Sequence, residues 1–366
     1  MAEFTTPKTF NKVDVPEALD DSALATRVVN LVLNALRNSD EQLNEQRLAE
    51  LVAKYIGAMR QVRTLEERHS QMRQFFSPKV IEALARSGAA ALEPRQGPVS
   101  VLFCDIRGFS TKVEESSDDL HGLLARVREA LSVMTRNILQ HDGVIADFQG
   151  DAALGFWGWP HASEESPARA CRAALAIQNE FAAAQRDPFH ELHGFHVGIG
   201  VCHGEAITGR IGSDEQIKVG VFGPIVNIAS RLQDLTKEVG VPILVDGPTA
   251  DAVADFLPPS VATCRRVTRL RPKGIATPVD VFSLSNGSGH GDRLSFVQEQ
   301  AYESASEAVE AGQWVKARRI LEKLPPKHGP ANFLRRAIHD CGQRPPADWD
   351  GVLTMGRKDL AAVLAG

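Results

Sequence analysis

Residues 99–110, VSVLFCDIRGFS, join a strongly apolar run to a short charged turn. The apolar part, Val99–Cys104, has the length and composition of a buried strand. Asp105 ends that strand, and Gly108 permits a tight turn whose backbone N–H groups can face an anion. An aspartate at such a place is more often a turn or helix cap than a metal ligand, so its chemistry depends on what lies beside it.

A second aspartate, Asp151, follows Gln149-Gly150 at the predicted turn between the strands Gly143–Phe148 and Ala152–Trp157. Taken alone, it too is explained as a plain turn residue. Two carboxylates at the ends of neighbouring strands are, however, what Mg²⁺ or Mn²⁺ requires, because these ions prefer oxygen ligands shared with phosphate. A metal site is therefore predicted if the two strands lie side by side.

A predicted helix, Pro224–Lys237, carries a further polar pair, Asn227 and Arg231. Residues four apart share one face of a helix. An arginine fork could stabilise charge on a phosphate, and the asparagine could position a ribose. A solvated polar face is the alternative. The apolar positions 226, 228 and 229 favour a half-buried helix on which the arginine meets an anion.

The remaining pattern predicts an α+β domain of about 190 residues with a mixed βαββαβ-type sheet and extra strands. The segments 195–202 and 205–211 are predicted as a strand pair joined at His203-Gly204. The other predicted helices are Asp118–Gln140 and Glu164–Gln185, and the other predicted strands are Gln216–Val221, Ile243–Val245, Val261–Thr268 and Val279–Ser283.

The flanks are predicted to be helical. Residues 1–20 are predicted as a flexible N-terminus, and 21–96 as a helical signalling or dimerisation segment. Apolar residues there step by four and three, as in a coiled-coil seam, although a helix packed on its own domain is the alternative; they are Leu48, Val52, Tyr55, Met59 and Val62. Ser77-Pro78 has the form of a new helix start. Residues 86–98 and 286–292 are predicted linkers.

The C-terminal part, 293–366, is predicted as a helical extension. Its segments Phe296–Ala311 and Trp314–Leu324 are expected to form a helical hairpin turned at Gly312. The pattern has no second copy, which excludes a repeat array. The function of this extension cannot be inferred from its composition.

Composition narrows the function classes. The 366 residues carry 41 Lys+Arg and 46 Asp+Glu, a formal net charge of −5, which argues against a broad nucleic-acid surface. Five scattered cysteines without a CxxC pair predict neither a disulfide framework nor a zinc site. The apolar runs are too short to cross a bilayer, and the first residues lack the apolar stretch of a secretory signal. We therefore expect a cytoplasmic protein.

Four segments together resemble the signature of the class III nucleotidyl cyclases, which include the adenylyl and guanylyl cyclases: FCDIRGFS, QGDAALGFWG, VFGPIVNIASR and RLRPKGIATPVDVFSL. The resemblance covers about residues 97–285. It implies a ferredoxin-like βαββαβ catalytic domain that works as a head-to-tail homodimer, with two sites that are each completed by both chains. It also implies that the preceding helices receive a signal from an upstream regulator that the sequence does not identify.

The resemblance implies a role for each matching residue. Asp105 and Asp151 would hold two Mg²⁺ or Mn²⁺ ions per site, with the Ile106 carbonyl as a further ligand. Asn227 and Arg231 of the partner chain would stabilise the transition state. Residues expected to bind phosphate are Gly108, Phe109, Ser110 and Lys273. The implied reaction converts a nucleoside triphosphate to a 3′,5′-cyclic monophosphate and pyrophosphate.

The positions that read the base in this family hold Asp147 and Gly220 here. Adenylyl members place Lys at the first position, and guanylyl members place Glu there. An ionised carboxylate only accepts hydrogen bonds, and guanine offers two adjacent donors, so the chemistry tilts toward GTP. Adenine can also donate from its amino group, and uracil from N3, so ATP and pyrimidine substrates stay open. Asp147 could also point away from the base.

Two other functions remain open at this point. One is a degenerate cyclase-like module that binds a nucleotide or a partner without turnover. The presence of both metal aspartates, Asn227 and Arg231 argues against it. The other is a helical scaffold in which residues 97–285 are incidental and the flanks bind the partner.

Overall fold

The structure, a computed structural model, describes residues 78–116, 118–213, 217–287 and 294–355, together with helical residues at 54–57, 59–60 and 63. The predicted flexible N-terminus and most of the helical segment lie outside the described residues, as do seam positions 48, 52 and 62. Tyr55 and Met59 are helical. Residues 76–366 form one compact unit.

The helices of this unit are α1 Pro78–Ser87, α2 Phe109–Glu115, α3 Leu120–Gln140, α4 Ser166–Ala184, α5 Pro224–Val239, α6 Gly247–Phe256, α7 Phe296–Glu310, α8 Trp314–Leu321 and α9 Gly329–Asp340. The strands are β1 Arg95–Ile106, β2 Val144–Gln149, β3 Ala152–Trp157, β4 Val197–Gly212, β5 Ile217–Phe222, β6 Ile243–Asp246, β7 Ala262–Arg271, β8 Val279–Asn286 and β9 Leu353–Thr354. A 3₁₀ turn, Gly88–Leu92, precedes β1.

All nine strands form one sheet, in the order β2-β3-β1-β4-β6-β8-β7-β9, with β5 paired to β4 outside this path. Among the first four strands, each pair of neighbours in the sheet is antiparallel, and α3 and α4 connect the strands in the βαββαβ order. This is the ferredoxin-like arrangement that was predicted. The parallel strand β6 and the β7–β8 hairpin extend the sheet beyond β4.

Both faces of the central strand β1 are buried, which explains its uninterrupted apolar run. Val101 and Phe103 belong to the core on one face, which also includes residues of α5 and of the C-terminal helices. Leu102 and Cys104 belong to the core on the other face, with residues of α3 and α4. The alternation along β1 therefore places Asp105 where a fully buried strand reaches its end.

The predicted turn at His203-Gly204 is wrong, because β4 runs without interruption from Val197 to Gly212. Its neighbour β1 begins at Arg95, inside the predicted linker, and pairs with β4 from Val197 to Thr208, across the predicted turn. Ser100 Oγ lies 2.9 Å from His203 Nδ1, so the polar residue in the middle of β4 has a partner within the sheet. A histidine-glycine pair thus marks no turn when a long neighbouring strand satisfies its backbone.

Within the described residues, the predicted helices and the C-terminal hairpin are present, and the structure adds elements that were not predicted. The separate short helix α2, which begins directly after Gly108, precedes the helix predicted from Asp118. In the described part of the C-terminal extension, a third helix, α9, follows the hairpin of α7 and α8, and the strand β9 joins the sheet in parallel with β7. The helix α9 was missed, although His328 caps it and Pro330 occupies its first turn.

In the described part of the chain, no helix is both long and apolar enough to cross a membrane.

Candidate functional site

The fold brings Asp105 and Asp151 together. Asp105 is the next-to-last residue of β1, and Asp151 comes immediately before β3. The two strands are antiparallel neighbours in which Cys104 pairs with Ala153, so the aspartates lie diagonally across one strand pair. Gly150, at φ 66°, makes the tight turn that delivers Asp151 to this position. The predicted adjacency of the two carboxylates is therefore present.

This proximity perturbs Asp105. Burial above all, together with the hydrogen bond and the charge of the neighbouring Asp151, raises the pKa of its carboxyl from 3.8 to about 7. The hydrogen bond donated by the Ile106 N–H to Asp105 Oδ1, at 2.9 Å, acts in the opposite direction. Two ionised carboxylates cannot donate to each other, so the carboxyl–carboxyl hydrogen bond exists only when the pair holds a proton. The pair is therefore an anionic site without a compensating charge.

The carboxylate pair fits a divalent cation. Asp151 Oδ2 is buried and has no hydrogen-bond partner, which is costly unless a cation or a polar ligand meets it. Among the described residues, no lysine or arginine forms an ion pair with either aspartate. No cluster of three or more His, Cys, Asp and Glu side chains suited to a metal exists there either. Two protein carboxylates leave several coordination positions for phosphate oxygens and water, as Mg²⁺ sites on phosphate substrates do.

The turn after Asp105 is anchored by a residue that was not singled out in the sequence. The Arg107 Nη2 group donates to the backbone oxygens of Val241, at 2.6 Å, and Thr236, at 3.4 Å. These carbonyls lie at the C-terminal end of α5, so the guanidinium ties the turn after Asp105 to that helix. The next residue, Gly108, adopts φ 68° and precedes α2, which begins with Phe109 and Ser110.

Asn227 and Arg231 both lie exposed on one face of α5, while Ile225, Ala229 and Leu232 fill the buried face. The helix is half-buried, as expected, and the Arg231 side chain on its outer face is 46% exposed. Arg231 Nη1 forms an ion pair with Asp234 Oδ2 at 3.0 Å. The Asp234 charge also contributes to the raised pKa of Asp105, so this end of α5 is close to the carboxylate pair.

The predicted base-reading residue Asp147 is not a free carboxylate. Lys218 Nζ on β5 forms an ion pair with Asp147 Oδ2 on β2. Lys218 lies two residues before Gly220, so both positions share one face of β5. The sequence analysis missed Lys218 because Asp147 is 71 residues away in the chain. The two residues meet only once β5 has paired with β4.

Lys273 lies far from the carboxylate pair of its own chain. It is exposed in the turn between β7 and β8. One row of paired residues crosses four strands: Leu102, Val201, Val245 and Phe282. Asp105 lies beyond this row on one side, and the β7–β8 turn lies beyond it on the other. At about 3.3 Å per residue, they are on the order of 20 Å apart, which one side chain does not bridge.

Residues 92–254 match the family model described as the adenylate and guanylate cyclase catalytic domain. Adenylate cyclase 1 of Rhizobium meliloti (strain 1021) is 30% identical over 195 residues, which cover 51% of this chain and 27% of that protein. An adenylate cyclase of Anabaena cylindrica is 25% identical over 225 residues, which cover 58% of this chain and 42% of that protein. The chain thus matches less than half the length of these relatives.

Among solved structures, a bacterial light-regulated adenylyl cyclase is similar at a TM-score of 0.53 and 20% identity, covering 69% of this chain and 68% of that chain. At this identity the likeness concerns the fold. It agrees with the single sheet and the ferredoxin-like order of its first four strands.

Proposed function

Because residues 92–254 belong to the adenylate and guanylate cyclase catalytic domains of the class III nucleotidyl cyclases, we propose that the chain cyclises a nucleoside triphosphate. The products are the 3′,5′-cyclic monophosphate and pyrophosphate. The observation that carries the proposal is the partly buried pair Asp105 and Asp151, with a buried, unpartnered oxygen on Asp151 and a pKa of about 7 for the Asp105 carboxyl. Neutral side chains at these two positions would stabilise the fold better than two neighbouring carboxylates, so the pair points to a functional role.

In this reaction the ribose 3′-oxygen forms a bond to the α-phosphorus, and the bond from that phosphorus to its bridging oxygen breaks. Two divalent cations, Mg²⁺ or Mn²⁺, supply Lewis acidity to the hydroxyl and neutralise the triphosphate when bound. Asp105 and Asp151 would hold these ions, with the carbonyl of Ile106 as a further ligand. The Arg107 anchor holds the turn that follows Asp105 and Ile106.

The remaining groups act by positioning and charge. Arg231 would stabilise the negative charge that develops on the α-phosphoryl oxygens, and Asn227 would orient the ribose. Lys273 would neutralise the terminal phosphates. The backbone around Gly108, with Phe109 and Ser110, would meet the phosphates beside the ions.

We further propose that two copies of the chain build each site. The distance between Lys273 and Asp105 within one chain supports this, since both must reach one triphosphate. An exposed apolar patch adjoins the base-reading residues: Phe222 is 68% exposed, Phe148 47% and Ile207 37%. Phe222 pairs with Ile207 and shares the β5 face of Lys218. A second copy is the occupant that would both cover this patch and complete the site.

We propose a purine nucleotide as substrate, with GTP used at least as well as ATP. Asp147 can accept hydrogen bonds from the two adjacent donors of guanine, and Lys218 can donate to its O6 atom. The same ion pair could accept from the adenine amino group and donate to adenine N1. Lys218 thus adds a hydrogen-bond donor that Asp147 alone would lack. Because this donor can bind adenine N1, ATP is the alternative substrate to GTP.

We also propose that an upstream signal arrives through the N-terminal helices. In α1, Val80 and Ala83 are buried within the same core as Trp159 and Val99. The helix that precedes β1 is thus packed on the catalytic domain. A displacement of this helix would change its packing against the sheet.

The test is an assay of the purified chain with Mn²⁺ or Mg²⁺ and each of ATP, GTP, CTP and UTP. Pyrophosphate release and cyclic nucleotide formation are measured together, with Asp105→Asn as the inactive control. Turnover of at least one purine triphosphate is expected. If neither product forms from any of the four, the domain is a binding module without turnover.

A further inference from the structure

The turn between β7 and β8, residues 272–278, carries the exposed Lys273. It is closed by a hydrogen bond of 2.9 Å from the Ile275 N–H to the Pro272 oxygen, and Gly274 adopts φ 78°. A lysine on such an exposed turn reaches a phosphate reproducibly only if the turn itself is held in place.

Arg271, the last residue of β7, holds this turn from two sides. Its Nε group donates to the Ala276 oxygen at 3.1 Å, across the turn. Its Nη2 group donates to Asp350 Oδ2 at 2.6 Å, in the C-terminal extension. The planar guanidinium fork makes both bonds at once, which a lysine could not do. Arg271 is therefore the link between the Lys273 turn and a residue 79 positions further along the chain.

Asp350 is itself fixed. Its Oδ1 atom accepts from the Val352 N–H at 3.2 Å, an Asx-type turn, and Gly351 adopts φ 84°. Directly after it, Leu353 and Thr354 form β9 beside Leu270 and Arg271 of β7. The Met355 N–H donates to the Arg271 oxygen at 3.0 Å. Asp350 thus meets Arg271 from a segment that is hydrogen-bonded to the same strand.

The preceding residue fastens this segment to the helices. Trp349 donates from Nε1 to the Glu310 oxygen at 3.0 Å, at the end of α7. Its ring stands edge-on to the Trp314 ring, with centroids 5.1 Å apart and an angle of 83°. The three-helix extension is therefore connected to the Lys273 turn through Trp349, Asp350 and Arg271.

We propose that Asp350 is a positioning residue for triphosphate binding: through Arg271 it holds the turn from which Lys273 meets the terminal phosphates. This inference rests on the proposed function and gives the C-terminal extension a role in it. Loss of the Asp350 charge weakens its bond to one arm of Arg271 and loosens the turn. The affinity for the triphosphate should fall, while Asp105 and Asp151 keep their geometry.

The test compares wild type with Asp350→Asn, Lys273→Ala and the double variant. Asp350→Asn should raise KM for the nucleoside triphosphate on the order of tenfold while kcat changes much less, because a charge-assisted contact is weakened indirectly. In the Lys273→Ala background, Asp350→Asn should have no further effect, since the two residues act through one contact. Asp350→Glu, which keeps the charge, should recover part of the affinity.

The control is Glu322→Gln, which removes an exposed carboxylate 3.7 Å from Arg318 on α8 and should leave KM unchanged. Thermal unfolding of each variant shows that the fold is retained. Additive effects of Asp350→Asn and Lys273→Ala, or an unchanged KM in Asp350→Asn, would overturn the inference while leaving the cyclase proposal intact.

The inference can also be tested if the wild type shows no turnover. Binding of a nucleoside triphosphate and of its monophosphate is then measured by calorimetry with Mn²⁺. Asp350→Asn should weaken triphosphate binding and spare the monophosphate, which lacks the phosphates that Lys273 meets. Equal weakening of both ligands would contradict the inference.

Discussion

Lys218 on β5 and Asp147 on β2 form an ion pair, and Gly220, which has no side chain, lies two residues from Lys218 on the same face of β5. The pair combines a donor and an acceptor beside the apolar patch of Phe222 and Ile207. A base edge that approaches it meets both kinds of partner. We therefore expect the selectivity of the proposed base site for one purine over the other to depend on both residues.

Replacing Lys218 by Met should shift the site toward GTP. Without the ammonium group, Asp147 only accepts, which suits the two adjacent donors of guanine and leaves adenine N1 without a donor. The ratio of kcat/KM for GTP to that for ATP should rise by about three- to tenfold, the effect of one hydrogen bond. Lys237→Met, on the exposed face of α5, is the control. An unchanged ratio would show that Lys218 does not face the base.

The reverse shift is expected from Asp147→Lys combined with Gly220→Asp, which should favour ATP. An aspartate at 220 accepts from the adenine amino group, and the lysine donates to adenine N1. A Cβ atom at Gly220 would lie 3.3 Å from Ile211 Cδ1, the mobile end of a side chain, so the new residue is accommodated by a small shift. Gly220→Ala alone controls for that crowding. A double variant that still prefers GTP would contradict this assignment of the base-reading positions.

The carboxylate pair should behave as a site built for function at the expense of stability. Asp105→Asn should lower kcat by at least ~10²-fold, as for loss of a charge-stabilising group. The same change removes repulsion with Asp151, so the metal-free protein should gain on the order of 1 kcal/mol in free energy of unfolding at pH 8, a modest figure because Asp105 is partly exposed. Urea unfolding with and without Mn²⁺ measures both effects.

In the wild type, Mn²⁺ should stabilise the fold, and in Asp105→Asn this stabilisation should largely vanish. The matched variant Asp234→Asn changes a carboxylate that is near the pair but exposed, and it should retain the response to Mn²⁺. If Mn²⁺ stabilises Asp105→Asn as strongly as the wild type, the ion binds elsewhere.

The sequence alone predicts those contacts whose two residues lie on neighbouring, locally recognisable elements of the chain. Asp105 and Asp151 are predictable as neighbours because each sits at the end of a recognisable strand, and a short hairpin joins β2 to β3. The ferredoxin-like order follows from the same local patterns. The apolar face of α5 is likewise visible in the spacing of its residues.

The pairs that were missed connect residues from distant parts of the chain. Lys218 and Asp147 meet only because β5 folds back on β4, and Arg271 meets Asp350 only because β9 joins the sheet edge. In the sequence, Arg107 looks like an ordinary turn residue, and only the folded structure shows that it donates to a carbonyl at the end of α5. No local spacing encodes these contacts, since tertiary packing decides which exposed charges face each other.

Complementation tests whether each site combines residues of two chains. Asp105→Asn and Arg231→Ala should each be nearly inactive alone, the latter by ~10²–10³-fold in kcat. A dimer of one chain of each kind restores one complete site, so equal co-expression should recover about a quarter of wild-type activity. Mixing Asp105→Asn with Asp151→Asn should recover none, because both defects lie in the part of the site that one chain supplies. Recovery in that control would contradict the shared-site arrangement.

Asp246 should give the fold a measurable dependence on pH. It is buried at the end of β6, where it caps α6 through the Thr249 N–H at 3.1 Å, and burial raises its pKa to about 6. Its ordinary value is 3.8, so the folded state holds a proton that the unfolded chain has lost. The stability linked to this carboxyl is therefore fully present below pH 4 and is lost as the pH rises through about 6.

Asp246→Asn keeps an oxygen acceptor for the helix cap and removes the titration. The free energy of unfolding of the wild type, relative to this variant, should fall by up to about 3 kcal/mol between pH 4 and pH 7, since a rise of about two pKa units corresponds to that amount. Urea unfolding at several pH values measures the difference. Asp119→Asn, at the exposed N-cap of α3, controls for replacing a capping aspartate. A difference that stays constant across this range would mean that Asp246 is ionised in the folded protein throughout. The N–H of Thr249 at the helix cap and the N–H of His203 on β4, which also donates to this carboxylate, would then outweigh its burial.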